Sequence, residues 1–438
     1  MAAPQTPKSP ASTTSSPASS SSAAAAAAVA RPTVNPKDST FERIKYNTIW
    51  TLTILVIFLT AMVLNVLQAV ALPVYYFRKT YYRTWIQTID FSYSCLLVFL
   101  MEWKSGMTHV YYGDAGRFLD RRGPGGSLPS AIYMSNHTSY ADWVVFYGVL
   151  CRQGGAGAIR FFLKDLAKVL PGIGWGCYLS EFFLVRKSST RGDWNRDGDV
   201  IVNRLKSFAE TGDLIYPAIF PEGTFHDGAD PTLVERTQKF AKENGLSVLE
   251  YLLTPRVRGF YACTSNLRGH AEYIVDQTIA FTGNKDRSQV PYYTAKPLSD
   301  ATRVMPDAAD LLAYRGPEHV HIHIRLIPLA DVPTDEAGAK QFLMKVWDEK
   351  ETLLRDFRAN GDCFPGQAHT RPNALWGSAA STGGVGYLVW HFLLWVVMMF
   401  SLGYALSLMS MWLLGNVVLV IGACALVGIL VQHFWKDK

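Results

Sequence analysis

The hydrophobic pattern changes character several times along the chain. Residues 1–36 are mostly Ala, Ser, Thr and Pro, with almost no large apolar side chain. Such a stretch cannot bury enough surface to offset its ordering entropy, so it is expected to be a disordered tail. From Thr48 to Tyr76 the chain is almost uncharged, TIWTLTILVIFLTAMVLNVLQAVALPVYY, which is long enough to cross a bilayer with some tilt. Arg43 and Lys45 precede it while Arg78, Lys79 and Arg83 follow, so charge sets no orientation. A second apolar run, Phe91 to Trp103, is short for a full crossing. Residues 44–104 are therefore expected to anchor the chain, either by spanning the bilayer or by dipping into one leaflet as a hairpin.

Residues 105–370 alternate between short apolar runs and amphipathic ones. Strands are expected at Ala131–Met134, Phe182–Val185, Leu214–Phe220 and His319–Pro328. Helices are expected at Asp142–Cys151, Asp199–Thr211, Pro231–Asn244 and Lys340–Phe357, with loops at Arg121–Gly126 and Gly154–Gly157. That alternation predicts an α/β domain with a central sheet covered by helices on both faces. Val385–Ser407 and Met411–Phe434 then predict a C-terminal transmembrane hairpin over 385–434. Arg371 lies before the pair and Lys436 and Lys438 after it, with nothing charged between, which puts the α/β domain on the cytoplasmic side.

Composition agrees with a membrane protein. Hydrophobic residues make up 49% and charged residues 18%, with 12 Trp, 21 Tyr and 23 Phe. The formal charge of +6 suits anionic lipid or anionic substrates and is too diffuse to argue for nucleic acid. The cysteines form no Cys-x-x-Cys pair and read as thiols of a reducing compartment. No apolar core follows the start methionine, so a secretory signal is not expected, and a tail poor in arginine does not read as a transit peptide.

Candidate chemistry concentrates in two places. The first is Asn136-His137-Thr138-Ser139-Tyr140-Ala141-Asp142, between an apolar strand pattern and an apolar helix pattern. A carboxylate five residues after a histidine can face it at a helix start, fix its tautomer and make it a better general base. The same residues also fit a surface histidine followed by a capping aspartate. Asn136-His137-Thr138 is a glycosylation sequon as well, which a cytoplasmic domain leaves unused. Ser139 lacks the Gly-x-Ser-x-Gly elbow of a nucleophile. The second place is Phe220-Pro221-Glu222-Gly223-Thr224, a turn after a strand pattern. Backbone N–H groups of such a turn can point at an anion, Glu222 can accept from a hydroxyl or hold a base, Gly223 admits close approach, and Thr224 can donate to phosphate. His319, His321 and His323 alternate on one strand but lack a completing ligand set, so no metal is expected.

Asn-His-x-x-x-x-Asp followed by Phe-Pro-Glu-Gly-Thr resembles the glycerolipid acyltransferase family of lysophosphatidate and lysophospholipid acyltransferases. Phe183-Leu184-Val185-Arg186 is similar to its Phe/Ile-x-x-Arg block, and Leu253-Thr254-Pro255-Arg256 with Gly259-Phe260 to its proline block. Lys164 with Leu170-Pro171-Gly172-Ile173-Gly174-Trp175-Gly176 is similar to a segment of the membrane-bound eukaryotic branch, and Trp143, the Gly-Trp-Gly run and the spacing Pro255-Arg256-x-x-Gly259-Phe260 resemble most its lysocardiolipin and lysophosphatidylinositol group. The chain departs from the family at Thr138-Ser139-Tyr140 and at Phe225, where many relatives carry an arginine.

The resemblance implies a membrane-anchored acyltransferase domain with a mixed central sheet. Its partners would be acyl-CoA, a lysophospholipid and the bilayer, with acyl-CoA a substrate and no resident cofactor. His137 would act as base, Asp142 as its orienter, and Asn136, Lys164, Arg186, Pro221, Glu222, Gly223, Thr224 and Arg256 as substrate-binding residues. It also implies the endoplasmic reticulum. A membrane hydrolase and a catalytically silent scaffold stay open as alternatives, as does the oligomeric state.

Overall fold

The structure is a computed structural model that describes residues 40–371, apart from 101–105, 120–127, 187–190, 227–229, 231, 285–290 and 313–314, together with Ser407. The expected tail at 1–36, the loop at 121–126 and the hairpin at 385–434 lie outside those residues, Ser407 excepted.

The described strands are β1 Thr108–Gly113, β2 Ser130–Ser135, β3 Ile159–Lys164, β4 Phe183–Val185, β5 Tyr216–Ile219, β6 Ala271–Gly283, β7 Tyr292–Tyr293, β8 His319–Pro328 and β9 His369–Arg371. They form one sheet in the order β4-β3-β5-β2-β6-β8-β1-β9, with β7 paired to β6. From β4 to β6 all neighbours are parallel. β8 runs antiparallel to β6 and parallel to β1. The sheet is therefore mixed, as expected.

Three helices precede the sheet, α1 Thr40–Val70, α2 Leu72–Phe77 and α3 Lys79–Val98. Between and after the strands come α4 Ala115–Leu119, α5 Asp142–Gln153, α6 Ile173–Leu179, α7 Arg191–Thr211, α8 Leu233–Glu243, α9 Val257–Asn266, α10 Ala308–Leu312 and α11 Glu336–Asp356. Every residue of β2 is buried, and its alternation serves two cores. Ala131 and Tyr133 pack with Val144, Val145 and Val149 of α5 on one face. Ile132 and Met134 pack with Leu205 of α7, Phe260 of α9 and Trp347 of α11 on the other.

The N-terminal apolar run divides. α1 holds the one candidate membrane span among the described residues, Ile44–Val70. It ends at Val70, and Ala71 caps α2, whose first turn holds Pro73. The second apolar run falls partly on α3, which is no free anchor. Ile86, Ile89, Leu97 and Val98 of α3 are buried, and Phe91, Tyr93 and Leu96 pack on the α5 side of the sheet. Arg83, taken from sequence as a flanking charge, is the buried clasp of this packing. It donates to both oxygens of Glu181 (2.7 and 3.0 Å) and to Asp213 (2.9 Å), and lies 3.6 Å over the Phe208 ring. A buried guanidinium holds its place only when its donors are met in this way.

The expected strand His319–Pro328 coincides with β8 and the other expected strands and helices are present with shifted ends, while β1, β3, β6, β7, β9, α4, α6, α9 and α10 carry no prediction. The largest omission is β6. Its middle, Asp276-Gln277-Thr278, is polar and interrupts the apolar pattern, yet it is buried. Asp276 is neutralised by Lys350 of α11 and Arg325 of β8, both at 2.6 Å. Charges supplied from distant elements let a stretch whose apolar pattern is broken serve as a central strand.

Candidate active site

The carboxyl ends of β4, β3, β5 and β2 share one edge of the sheet, and the chain leaves each of them into a candidate residue. Arg186 follows β4, Lys164 closes β3, Phe220-Pro221-Glu222-Gly223-Thr224 follows β5, and Asn136-His137 follows β2. Ligands of parallel sheets bind at such an edge. With strands about 4.8 Å apart, β4 and β2 are separated by about 14 Å across it.

His137 Nδ1 lies 2.8 Å from Asp142 Oδ2. Asp142 is fully buried at the first turn of α5, and its carboxylate bends back over the preceding loop. Oδ2 also accepts from the amides of Thr138 (2.5 Å) and Ser139 (3.0 Å), while Oδ1 accepts from the hydroxyls of Thr138 (2.7 Å) and Ser139 (3.3 Å). The capping alternative and the catalytic one are thus the same geometry, since one carboxylate closes the loop and holds the imidazole. Because a carboxylate only accepts, Nδ1 carries the proton and Nε2 is left as the basic nitrogen. Ser139 is buried, and its Oγ accepts from Ala141 N at 3.0 Å, so it is a loop-forming hydroxyl.

The rest of the imidazole is walled by rings. Phe220 stacks on it at 4.2 Å and Phe225 leans on it at 4.8 Å. Tyr140 meets Phe225 edge-on at 4.4 Å. Phe225 and Tyr140 are among the positions where the chain departs from the family pattern, and here they form an apolar wall.

Asn136 and Glu222 were expected to touch substrate, and both are turned inward. Asn136 exchanges two hydrogen bonds with the backbone of Ile279, Nδ2 donating at 3.0 Å and Oδ1 accepting at 2.8 Å. It ties the loop after β2 to β6. Glu222 accepts from His137 N through Oε1 (2.9 Å) and from Leu253 N through Oε2 (3.2 Å). Its carboxylate therefore joins the two motif loops to the proline block. Burial pushes the Glu222 carboxyl up to about 8, with the nearby Asp142 charge acting the same way and the two amides and Arg303 opposing.

Pro221 O accepts from Arg256 N at 2.7 Å. Gly223 has φ +70, which favours glycine, and a Cβ there would stand 3.3 Å from the Arg256 side chain, which would have to give way. Arg256, Lys164 and Arg186 are exposed around the edge and make a cationic rim. Arg186 is partly committed, donating its N–H to Asp197 at 2.8 Å with Nε 3.8 Å from the same carboxylate. Thr224 is half-buried beside the rim.

Arg303 belongs to this site and carries no signal in the local sequence. It donates to the carbonyls of Thr294 (3.3 Å), His226 (3.2 Å) and Thr138 (3.5 Å), bridging both motif loops from behind. Burial holds its guanidinium below the ordinary arginine range, and the Glu222 and Asp142 carboxylates counteract this. Away from the site, the His321 ring is met by Tyr112 OH and Thr282 Oγ1, each at 2.9 Å.

Comparison with known proteins agrees with this geometry. The family model Acyltransferase matches residues 126–256, which span both motif loops, and the model Acyltransferase C-terminus matches 310–380. A probable 1-acyl-sn-glycerol-3-phosphate acyltransferase 5 of Arabidopsis thaliana is 31% identical over 301 residues, covering 69% of this chain and 70% of that protein. The 1-acyl-sn-glycerol-3-phosphate acyltransferase epsilon of Mus musculus is 28% identical, over 64% of this chain and 71% of its own. Lysocardiolipin acyltransferase 1 of Gallus gallus is 27% identical, over 67% and 68% respectively. Together these matches establish that the chain belongs to the glycerolipid acyltransferase family, that of the 1-acyl-sn-glycerol-3-phosphate and lysocardiolipin acyltransferases.

Proposed function

We propose that this chain transfers a fatty acyl group from acyl-CoA to the free hydroxyl of a lysophospholipid, such as lysophosphatidate or lysophosphatidylinositol, by general-base catalysis at a membrane surface. The observation that carries the reading is the His137–Asp142 pair, with Nδ1 held at 2.8 Å and Nε2 left for substrate. His137 Nε2 takes the proton of the acceptor hydroxyl, and Asp142 stabilises the resulting imidazolium. The alkoxide oxygen bonds to the thioester carbonyl carbon, the carbon–sulfur bond breaks, and the CoA thiolate recovers the proton from imidazolium. No covalent enzyme intermediate is needed, because a thioester is already activated.

The amides of His137, Thr138 and Ser139 are all engaged by carboxylates. Thr224 and Arg256, which flank the turn after β5, would meet the tetrahedral oxyanion. Lys164, Arg186 and Arg256 suit the phosphates of the acceptor headgroup and of CoA. No resident cofactor or metal takes part.

The proposed organisation is a tail at 1–36, a region at 44–104 in which α1 is the membrane anchor and α3 packs on the domain, the catalytic domain at 105–370 and a transmembrane hairpin at 385–434, with the domain on the cytoplasmic face of the endoplasmic reticulum. α1 contributes by lying against the domain, since Ile57, Ala61 and Leu64 are buried while Leu52, Leu55 and Leu59 are exposed. Such a helix presents one apolar face to protein and one to lipid.

The test is purified protein in lipid with labelled acyl-CoA and a panel of lysophospholipids, repeated with His137→Ala. Formation of the diacyl product, abolished in the variant, is expected. Transfer that survives in His137→Ala overturns the mechanism, and free fatty acid as the sole product overturns the acceptor assignment in favour of a hydrolase.

A further inference from the structure

The crossover from β3 to β4 carries an exposed apolar face that the catalytic site does not use. Leu166, Val169, Leu170, Ile173, Trp175 and Tyr178 are each 45–63% exposed within a stretch of 13 residues. So many large apolar side chains in one patch mark a contact surface. Exposed Lys164 and Lys168 border it. The segment is also bound tightly to α1. A Cβ at Gly172 would stand 3.3 Å from Ala61, and one at Gly176 would stand 3.1 Å from Asn65. Between the two elements runs an open groove of about 510 Å³, lined by Met62, Val66 and Ala69 of α1 and by Trp175 and Leu179 of α6, with Lys168 at its margin.

We infer that Leu166–Tyr178 is a second membrane-inserting element, coplanar with the exposed face of α1, which seats the carboxyl edge of the sheet on an anionic lipid surface. Two features of the patch select lipid as its occupant. It continues the exposed apolar row of α1, the one candidate span among the described residues. Its margin combines lysine with tryptophan and tyrosine, the side chains that sit at the headgroup level of a bilayer. The segment starts two residues after Lys164, past Asp165, which pairs with Lys168 at 2.7 Å, and lies two strands from the strand that carries His137. Lipid chains filling the groove would thus lie beside the cationic rim, where an acceptor must present its headgroup. This use of the surface rests on the acyltransferase reading, but the surface itself can be tested without turnover.

The full chain is reconstituted in vesicles of phosphatidylcholine and phosphatidate, with and without brominated acyl chains, and tryptophan emission is compared between the native protein and Trp175→Phe. The expected result is that the emission lost on substitution is a component quenched by brominated lipid and shielded from aqueous acrylamide. Quenching by acrylamide instead shows a wet surface and overturns the inference. Shielding from both quenchers also overturns it, because protein then covers the patch, whether the C-terminal segment or a second copy. In parallel, Val169→Asp with Leu170→Asp should raise KM for long-chain lysophospholipid in vesicles about tenfold or more, from the lost apolar burial, with kcat on a soluble short-chain acceptor unchanged. The control is Val248→Asp, an exposed apolar position outside the segment, which should leave both unchanged. Equal loss on both acceptors in the Val169/Leu170 variant counts against membrane seating. Absence of turnover in every form defeats the catalytic reading alone, since the fluorescence result stands by itself.

Discussion

Asp142→Asn separates the charge of the dyad from its geometry. The native carboxylate accepts five hydrogen bonds, three through Oδ2 and two through Oδ1. An asparagine can keep its carbonyl oxygen in the Oδ2 position, facing His137 and the amides of Thr138 and Ser139. Its NH2 group then faces the Thr138 and Ser139 hydroxyls, which can rotate to accept. The loop is retained and the negative charge is lost. Opposite unit charges 2.8 Å apart attract by about 6 kcal/mol at an effective dielectric constant of about 20, which is the ceiling on what the imidazolium can lose. At about 1.4 kcal/mol per decade, that ceiling corresponds to about four decades in rate. The residual neutral hydrogen bond recovers about 1 kcal/mol, so kcat/KM should fall by roughly three to four decades. Melting temperature should change little. Asp142→Ala leaves the Thr138 and Ser139 amides buried without a partner, at about 1–3 kcal/mol each, and should lower both activity and melting temperature. The assay is acyl transfer at saturating and limiting acceptor, with thermal unfolding on the same preparations. Asp142→Asn retaining a tenth or more of native kcat/KM would refute the charge argument. So would a further large loss on adding it to His137→Ala, because groups that act as one unit are not additive.

Three further outcomes are expected. The Glu222 carboxyl is raised from 4.5 to about 8 by burial, so its contribution to stability is present below 4.5 and is lost as pH rises through about 8; native protein should lose melting temperature relative to Glu222→Gln across that window, measured by thermal scans in matched buffers. Arg303→Met should lower kcat by about one to two decades at nearly constant KM, because the loops at Thr138 and His226 lose a shared anchor and the base is misplaced, and Arg303→Lys should recover part of the rate. Gly223→Ala forces a left-handed residue at φ +70 and crowds Arg256, which should cost about 1–2 kcal/mol in denaturant unfolding and raise KM for a phosphorylated acceptor more than it lowers kcat.

The residues that make this protein chemical were readable in one dimension wherever the chemistry is local. His137 and Asp142 lie within five residues, a reach that a helix start closes by itself, and the pairing at 2.8 Å follows from that spacing. The two loops were also recognisable as motifs, and parallel neighbours β2 and β5 bring them together. Helix and strand positions with a regular apolar period were legible for the same reason, since a local period needs no partner to be seen. Where partners come from afar, the sequence was silent. β6 is a central strand because Lys350 and Arg325 neutralise Asp276, and Arg303 joins the site because a loop beyond β7 folds behind Thr138 and His226. Glu222 and Asn136 read as substrate ligands, and only the packing turned them toward backbone amides and carbonyls. Sequence by itself determined the family and the five-residue spacing that sets His137 against Asp142. Tertiary structure decided which polar residues turn inward to hold the loops, because hydrogen-bond direction is set by neighbours that are distant along the chain.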